Sequence, residues 1–187
     1  MAIITVISGS PTESSRLNGL LQEVRKTVQS EGWEYHEIQV RQLPPEDLVY
    51  TRFDSPAILE ANRIIAKSDA VVVATPIYKA SYTGVLKSFL DLIPQKGLEK
   101  KIVLPLAIGG TIAHLLAIDY ALKPVLSALG ANHIFTGVYA LDTQVTRLEG
   151  GGFELAEELQ ARLQQSLAEW VHAVKGTAKE TKEAKSL

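Results

Sequence analysis

The chain has 187 residues and no cysteine, which excludes disulfides, thiolate metal sites and a cysteine nucleophile. No metal site is expected. None of its apolar runs approaches the roughly 20 residues needed to span a bilayer, so no membrane role is expected. No secretory signal is expected either: Met1-Ala2-Ile3-Ile4 runs straight into a short apolar strand without a basic stretch. Neither sign of charge dominates, with 19 Lys and Arg against 21 Asp and Glu. A net charge of −2 leaves no nucleic-acid footprint and lacks the strong acidity of a small electron carrier that docks on charged partners. No internal repeat and no interdomain linker is visible. These absences leave an expected cytoplasmic single domain, of a size that buries roughly 70% of its unfolded surface.

What is present is an alternation of strands and helices. Ala2 to Ile7 is a continuous apolar, β-branched run that ends in Ser-Gly-Ser-Pro, the pattern of a buried strand meeting a turn. Leu17, Leu20, Leu21, Val24 and Val28 have helical spacing, and Gly32 closes that helix. Trp33 to Val40 reads as a second strand and residues 57–67 as a helix behind Pro56. Ala70 to Ala74 is a third strand, and 84–93 a short helix before Pro94. Ile102 to Ala107 is a fourth strand, stopping at Gly109-Gly110, with a helix over 113–129 behind it. His133 to Tyr139 forms a fifth strand, broken by Gly137. A last helix over 154–174 aligns Leu155, Leu159, Leu163, Leu167 and Trp170. Residues 1–174 thus form the domain, and the Lys- and Glu-rich segment 175–187 is expected to be a disordered tail. Strands apolar on both faces, alternating with helices, predict an α/β flavodoxin-like fold: a five-stranded parallel sheet with helices on both faces. In such a sheet ligands sit beyond the carboxyl ends of the strands.

Three loops lie at those ends. The first, Ser8 to Asn18, follows a strand and opens a helix, where free N–H groups favour a phosphate. Ser10, Ser14 and Ser15 can donate to phosphate oxygens, and Arg16 can add a charge-assisted bond. The loop is not Gly-x-Gly-x-x-Gly, and its hydroxyls suit a compact monophosphate such as that of FMN. The plainer alternative is that these serines form a turn and cap the helix. In the second loop, Thr75 to Gly84, Pro76 fixes the backbone direction, and Tyr78 can pack along a flavin ring. Lys79 and Tyr82 could meet a phosphate or a substrate; a rigid turn with surface aromatics is the alternative. In the third, Ile108 to His114, Gly109 and Gly110 permit close backbone approach, and Thr111 can cap the next helix and donate to a flavin. His114 fits capping or packing as well as any chemical role.

Together, Gly-Ser-Pro…Ser-Arg, Thr-Pro-Ile-Tyr-Lys-Ala-Ser-Tyr-Thr-Gly and Gly-Gly-Thr-Ile-Ala-His-Leu-Leu-Ala-Ile-Asp-Tyr-Ala-Leu-Lys-Pro-Val-Leu resemble the NAD(P)H-dependent FMN reductases of two-component alkanesulfonate monooxygenase systems. The resemblance spans about residues 3–144 and rests mainly on the long third segment. It implies FMN as substrate and product, NADPH preferred over NADH, and a partner monooxygenase that uses reduced flavin to desulfonate organosulfonates. It implies a homotetramer as well. By the same resemblance Ser10, Ser15, Arg16 and Asn18 hold the phosphate, while Pro76, Ile77, Tyr78, Lys79, Gly109, Gly110 and Thr111 line the isoalloxazine. Thr12 departs from the pattern, standing where relatives often carry Arg. Hydride transfer between aligned rings needs no side-chain acid or base, so no catalytic residue is assigned. No basic cluster for a 2′-phosphate is evident, with Lys79 and Arg52 standing only as guesses.

Pro124 falls inside the predicted helix and crowds the carbonyl of Tyr120, so a kink or a π-bulge is expected there. The family resemblance favours the π-bulge, with Tyr120 near a subunit interface and the flavin, and Tyr120 is expected to tune flavin exchange; a packing or interface tyrosine is the alternative. Rival functions on the same fold are a quinone, azo or chromate reductase with prosthetic FMN, and a flavodoxin-type electron carrier. A flavin-free interaction protein is a third.

Overall fold

A computed structural model describes residues 1–184, with side chains described for residues 1–177. Its strands are β1 (Ile3–Ser8), β2 (Glu34–Gln39), β3 (Ala70–Tyr78), β4 (Ser81–Tyr82), β5 (Ile102–Gly109), β6 (His133–Ile134), β7 (Val138–Leu141), β8 (Val145–Arg147) and β9 (Phe153–Leu155). Its α-helices are α1 (Leu17–Ser30), α2 (Pro45–Val49), α3 (Pro56–Lys67), α4 (Gly84–Leu90), α5 (Lys123–Ala128) and α6 (Glu157–Ala184). The parallel sheet runs β2-β1-β3-β5, with β6 and β7 both pairing β5 as one interrupted fifth strand. This is the flavodoxin-like α/β fold that the alternation predicts. One face is covered by α1 and α6, the other by α3, α4 and α5. Val72, Leu104 and Leu106 point to the first core and Val71, Val73 and Val103 to the second, which is why the central strands read as unbroken apolar runs.

The break in the fifth strand has a local cause. Val103 pairs with Ile134 and Leu106 with Val138, so three steps along β5 face four along its partner. The extra residue is accommodated opposite Pro105, which has no N–H to give the ladder. Gly137 takes φ +85° there, and a Cβ on it would lie 2.4 Å from the Pro105 carbonyl oxygen. A second proline, Pro76, is tolerated because β1 ends opposite Ala74, so Pro76 itself has a ladder partner only on the β5 side.

Several boundaries differ from those read in the sequence. The third strand continues through Tyr78 and turns back as β4. The single helix expected over 113–129 is instead a 3₁₀ turn (Ile112–His114), a π-helix (Ile118–Leu122) and then α5. Pro124 occupies the first turn of α5, directly after the wider π turn. The last helix begins at Glu157; Leu155 belongs to the antiparallel hairpin β8–β9, which turns at Gly151 and Gly152 (φ +89° and +87°). That helix extends past Val174 to Ala184 through residues that are mostly Ala, Lys and Glu, all tolerated in helices. The remaining residues of the expected tail, 185–187, lie outside the described residues.

Candidate flavin site

The parallel register brings Ser8, Tyr78 and Gly109, the last residues of β1, β3 and β5, to one edge of the sheet. The three loops therefore converge, and two side chains tie them together. Thr83 donates through Oγ1 to the Gly9 carbonyl at 2.6 Å and accepts from the Leu86 N–H at 3.1 Å, so it caps α4 and clamps the second loop to the first. Its own N–H donates to Thr75 Oγ1. Tyr139, in β7, donates its hydroxyl to the Thr111 carbonyl at 2.7 Å and so pins the third loop. Burial, and then the nearby Asp142 charge, push this phenol up from its ordinary pKa, which keeps the donor proton in place. Thr83 stands in the second motif, directly before the predicted helix, whereas Tyr139 carries no motif that would single it out in the sequence.

In the first loop Ser10 and Ser15 are buried. Ser10 Oγ donates to the Thr12 carbonyl at 3.0 Å, and Ser15 Oγ accepts from the Leu17 N–H at 3.2 Å, so both hydroxyls hold the turn and the start of α1. Asn18 donates to the Glu13 carbonyl at 2.8 Å. Arg16 is exposed and donates through Nε to the Val145 carbonyl at 3.1 Å, leaving its terminal nitrogens available. Among the described residues the N–H groups of residues 13–16 find no protein acceptor. Consecutive free N–H groups ahead of a helix form a concavity for an anion. A cavity of about 350 Å³ adjoins this loop between α1 and β2, with Arg41 in its wall, but no residue of the other two loops lines it.

In the second loop Pro76 and Ile77 are buried, whereas Tyr78 is 52% exposed and Lys79 stands at the turn between β3 and β4. Lys79 and Ala80 take φ +50° and +65°, the left-handed pair that a two-residue hairpin turn requires. A Cβ in that region costs about 1 kcal/mol or more. Ala80→Gly is therefore expected to raise the unfolding free energy by about 1 kcal/mol and the melting temperature by about 2–4 °C. Circular dichroism melts check this, and an unchanged melting temperature would mean the turn carries no strain. Arg52 lies elsewhere, paired with Glu46 at 3.3 Å and Asp47 at 3.2 Å, so it is not a free cation for a cofactor phosphate.

In the third loop Gly110 is exposed with nothing nearer than 3.7 Å to its would-be Cβ, so this backbone lies open to a flat ligand. Thr111 caps the 3₁₀ turn by accepting from the Ala113 N–H. The π-helix packs Ile118 against Ile77, Ala107 and Tyr139 beneath the second and third loops, while Tyr120 projects outward at 79% exposure. The open backbone at Gly110, the free N–H groups of the first loop and the exposed aromatic flanks fit a flavin mononucleotide. Among the described residues no three His, Asp or Glu side chains converge on a metal position. Nor is any helix among them long and apolar enough to cross a membrane.

Comparison with known proteins agrees with this geometry. Residues 2–146 match the NADPH-dependent FMN reductase family. An FMN reductase (NADPH) of Pseudomonas putida KT2440 is 48% identical over 88% of this chain and 84% of its own length. An FMN reductase (NADPH) of Escherichia coli K12 is 50% identical over 78% of this chain and 75% of its own. Among solved structures, the apo form of the NADH:FMN oxidoreductase EMOB superposes with a TM-score of 0.81 at 33% identity, covering 91% of this chain and 88% of that one.

Proposed function

The chain belongs to the NADPH-dependent FMN reductase family, and from that premise we propose that it supplies reduced FMN as a diffusible product to a partner monooxygenase that desulfonates organosulfonates. The chemistry itself, reduction of FMN by NADPH, follows from the family, and NADPH is preferred over NADH in this reading. When bound, the flavin accepts hydride from the dihydronicotinamide. The chain's residues bind and orient: Ser10, Ser15, Arg16 and Asn18 with the free N–H groups hold the phosphate. Pro76, Ile77, Tyr78, Lys79, Gly109, Gly110 and Thr111 flank the ring. No side chain in this set is needed as an acid or base, because alignment of the two rings supplies the acceleration.

The observation that carries the diffusible-product reading is the openness of the site. Tyr78 is 52% exposed and the Gly110 backbone beside it is open, so among the described residues no side chain of the second or third loop covers the ring position. A reductase that delivers its product must release it. Tyr120, held out by the π-helix, limits flavin retention in this reading. Ile112, Leu115, Leu116 and Tyr120 together expose apolar surface where copies would meet in a cytoplasmic homotetramer.

Gel-filtered protein is expected to oxidise NADPH only when FMN is added, with a rate that saturates in FMN. A yellow protein that keeps its flavin and turns over only with a quinone or azo acceptor would replace this reading with a prosthetic-flavin reductase.

A further inference from the structure

We propose that Arg147, in the hairpin β8–β9, is a direct ligand of the flavin 5′-phosphate and a determinant of the choice of FMN over riboflavin; this rests on the reading of the first loop as the phosphate loop. The phosphate monoester carries close to two negative charges at neutral pH. The loop itself meets that charge with neutral N–H groups and hydroxyls and with one cation, Arg16.

The hairpin places a second cation against the same loop. Val145 and Arg147 lie two residues apart on β8 and so share a face of the strand. The Val145 side chain sits on the first turn of α1, where a Cβ on Gly19 would come within 2.7 Å of it. Arg147 is thereby directed at the loop that precedes α1, and one of its terminal nitrogens donates to the Ser14 carbonyl. The same hairpin fixes Arg16 through the Val145 carbonyl and α1 through a bond from Gln22 to the Phe153 carbonyl. One short element thus orders the loop and both of its guanidinium groups.

After its bond to Ser14, Arg147 retains N–H donors on an exposed guanidinium, and no carboxylate among the described residues pairs with it. Arg41 is a weaker candidate. It donates to Gln39 at 2.7 Å and faces Glu13 at 4.0 Å, so its guanidinium is already engaged, in the cavity beside β2 that the first loop also lines. Arg147 therefore supplies a second positive charge beside Arg16, through a forked donor suited to phosphate oxygens.

The test compares FMN with riboflavin, which lacks the phosphate, in steady-state NADPH oxidation and in flavin-fluorescence titrations of the full chain. Arg147→Gln is expected to lower the FMN-to-riboflavin ratio of kcat/KM, and of affinity, about tenfold. Arg147→Lys keeps the charge without the fork and is expected to recover part of that ratio. A ratio unchanged in both variants, even with lower overall activity, would show that the hairpin only braces the loop and overturn the proposal. Equal use of FMN and riboflavin by the unaltered protein would overturn the phosphate loop itself, and the role of Arg147 with it.

Discussion

Replacing Trp170 with alanine is expected to lower the unfolding free energy by about 3–5 kcal/mol. The melting temperature should fall by on the order of 10 °C. The indole is fully buried, the largest such side chain in the protein, on a stripe of α6 that also buries Leu159, Leu163, Leu167 and Val174. It meets the edge of Trp33 at a ring separation of 6.3 Å and lies beside Ile102, so one truncation opens space between α6 and both β5 and the segment entering β2. Its Nε1 lies 3.5 Å from the Ile102 carbonyl, too long for a strong bond, so the loss is one of packing and cavity formation. Trp170→Phe, which keeps most of the volume, is expected to cost clearly less. Denaturant melts of the two variants decide the point: a loss below 1 kcal/mol for alanine would make α6 a loose cover and not half of the core.

The parts of this fold that were legible in the sequence are those where a single chain segment carries the whole signal. The strands β1, β3 and β5 are unbroken apolar runs because both faces are covered, and their ends announce the loops. Gly137 marks the break in the fifth strand because only a residue free at φ +85° can pass Pro105 there. Pro124 announces the distortion at Tyr120, and the π-helix over Ile118–Leu122 sits where that crowding falls. What escaped notice depends on contacts distant in sequence. The strands β8 and β9 are three residues each and mix Val, Thr and Arg with Phe, Glu and Leu, too short for any periodicity. They exist because Val145, Phe153 and Leu155 cover Gly19. Arg147 reaches Ser14 across 133 positions, and Tyr139 reaches Thr111 from a strand read only as core. Individually these residues have no signature, and only the closed sheet makes them part of a site.

Gly109→Ala is expected to lower kcat/KM for FMN by about 100-fold, the scale of a 1 Å misplacement in a site built on orientation. Backbone conformation is not the reason, since Gly109 ends a regular strand; space is. An added Cβ would fall 2.2 Å from the Tyr139 hydroxyl oxygen, 3.1 Å from Cζ and 3.4 Å from the Ile77 Cβ. Tyr139 is 4% exposed and holds the Thr111 carbonyl, so it cannot withdraw without releasing the loop that lines the ring. The methyl group therefore acts on the flavin site through the tyrosine. Two further variants separate this from mere overpacking. Gly110→Ala meets nothing closer than the Asp142 carboxylate at 3.7 Å, so its stability is expected to stay within about 0.5 kcal/mol of the original. Tyr139→Phe removes the clashing oxygen at the cost of the bond to Thr111. The double variant Gly109→Ala with Tyr139→Phe is then expected to be more active than Gly109→Ala alone, because the relieved clash outweighs a bond already broken. FMN saturation curves for the four proteins measure the coupling between the two positions. Losses that simply multiply would show that Gly109 and Tyr139 act independently, and that the close approach at the end of β5 does not set the position of the third loop.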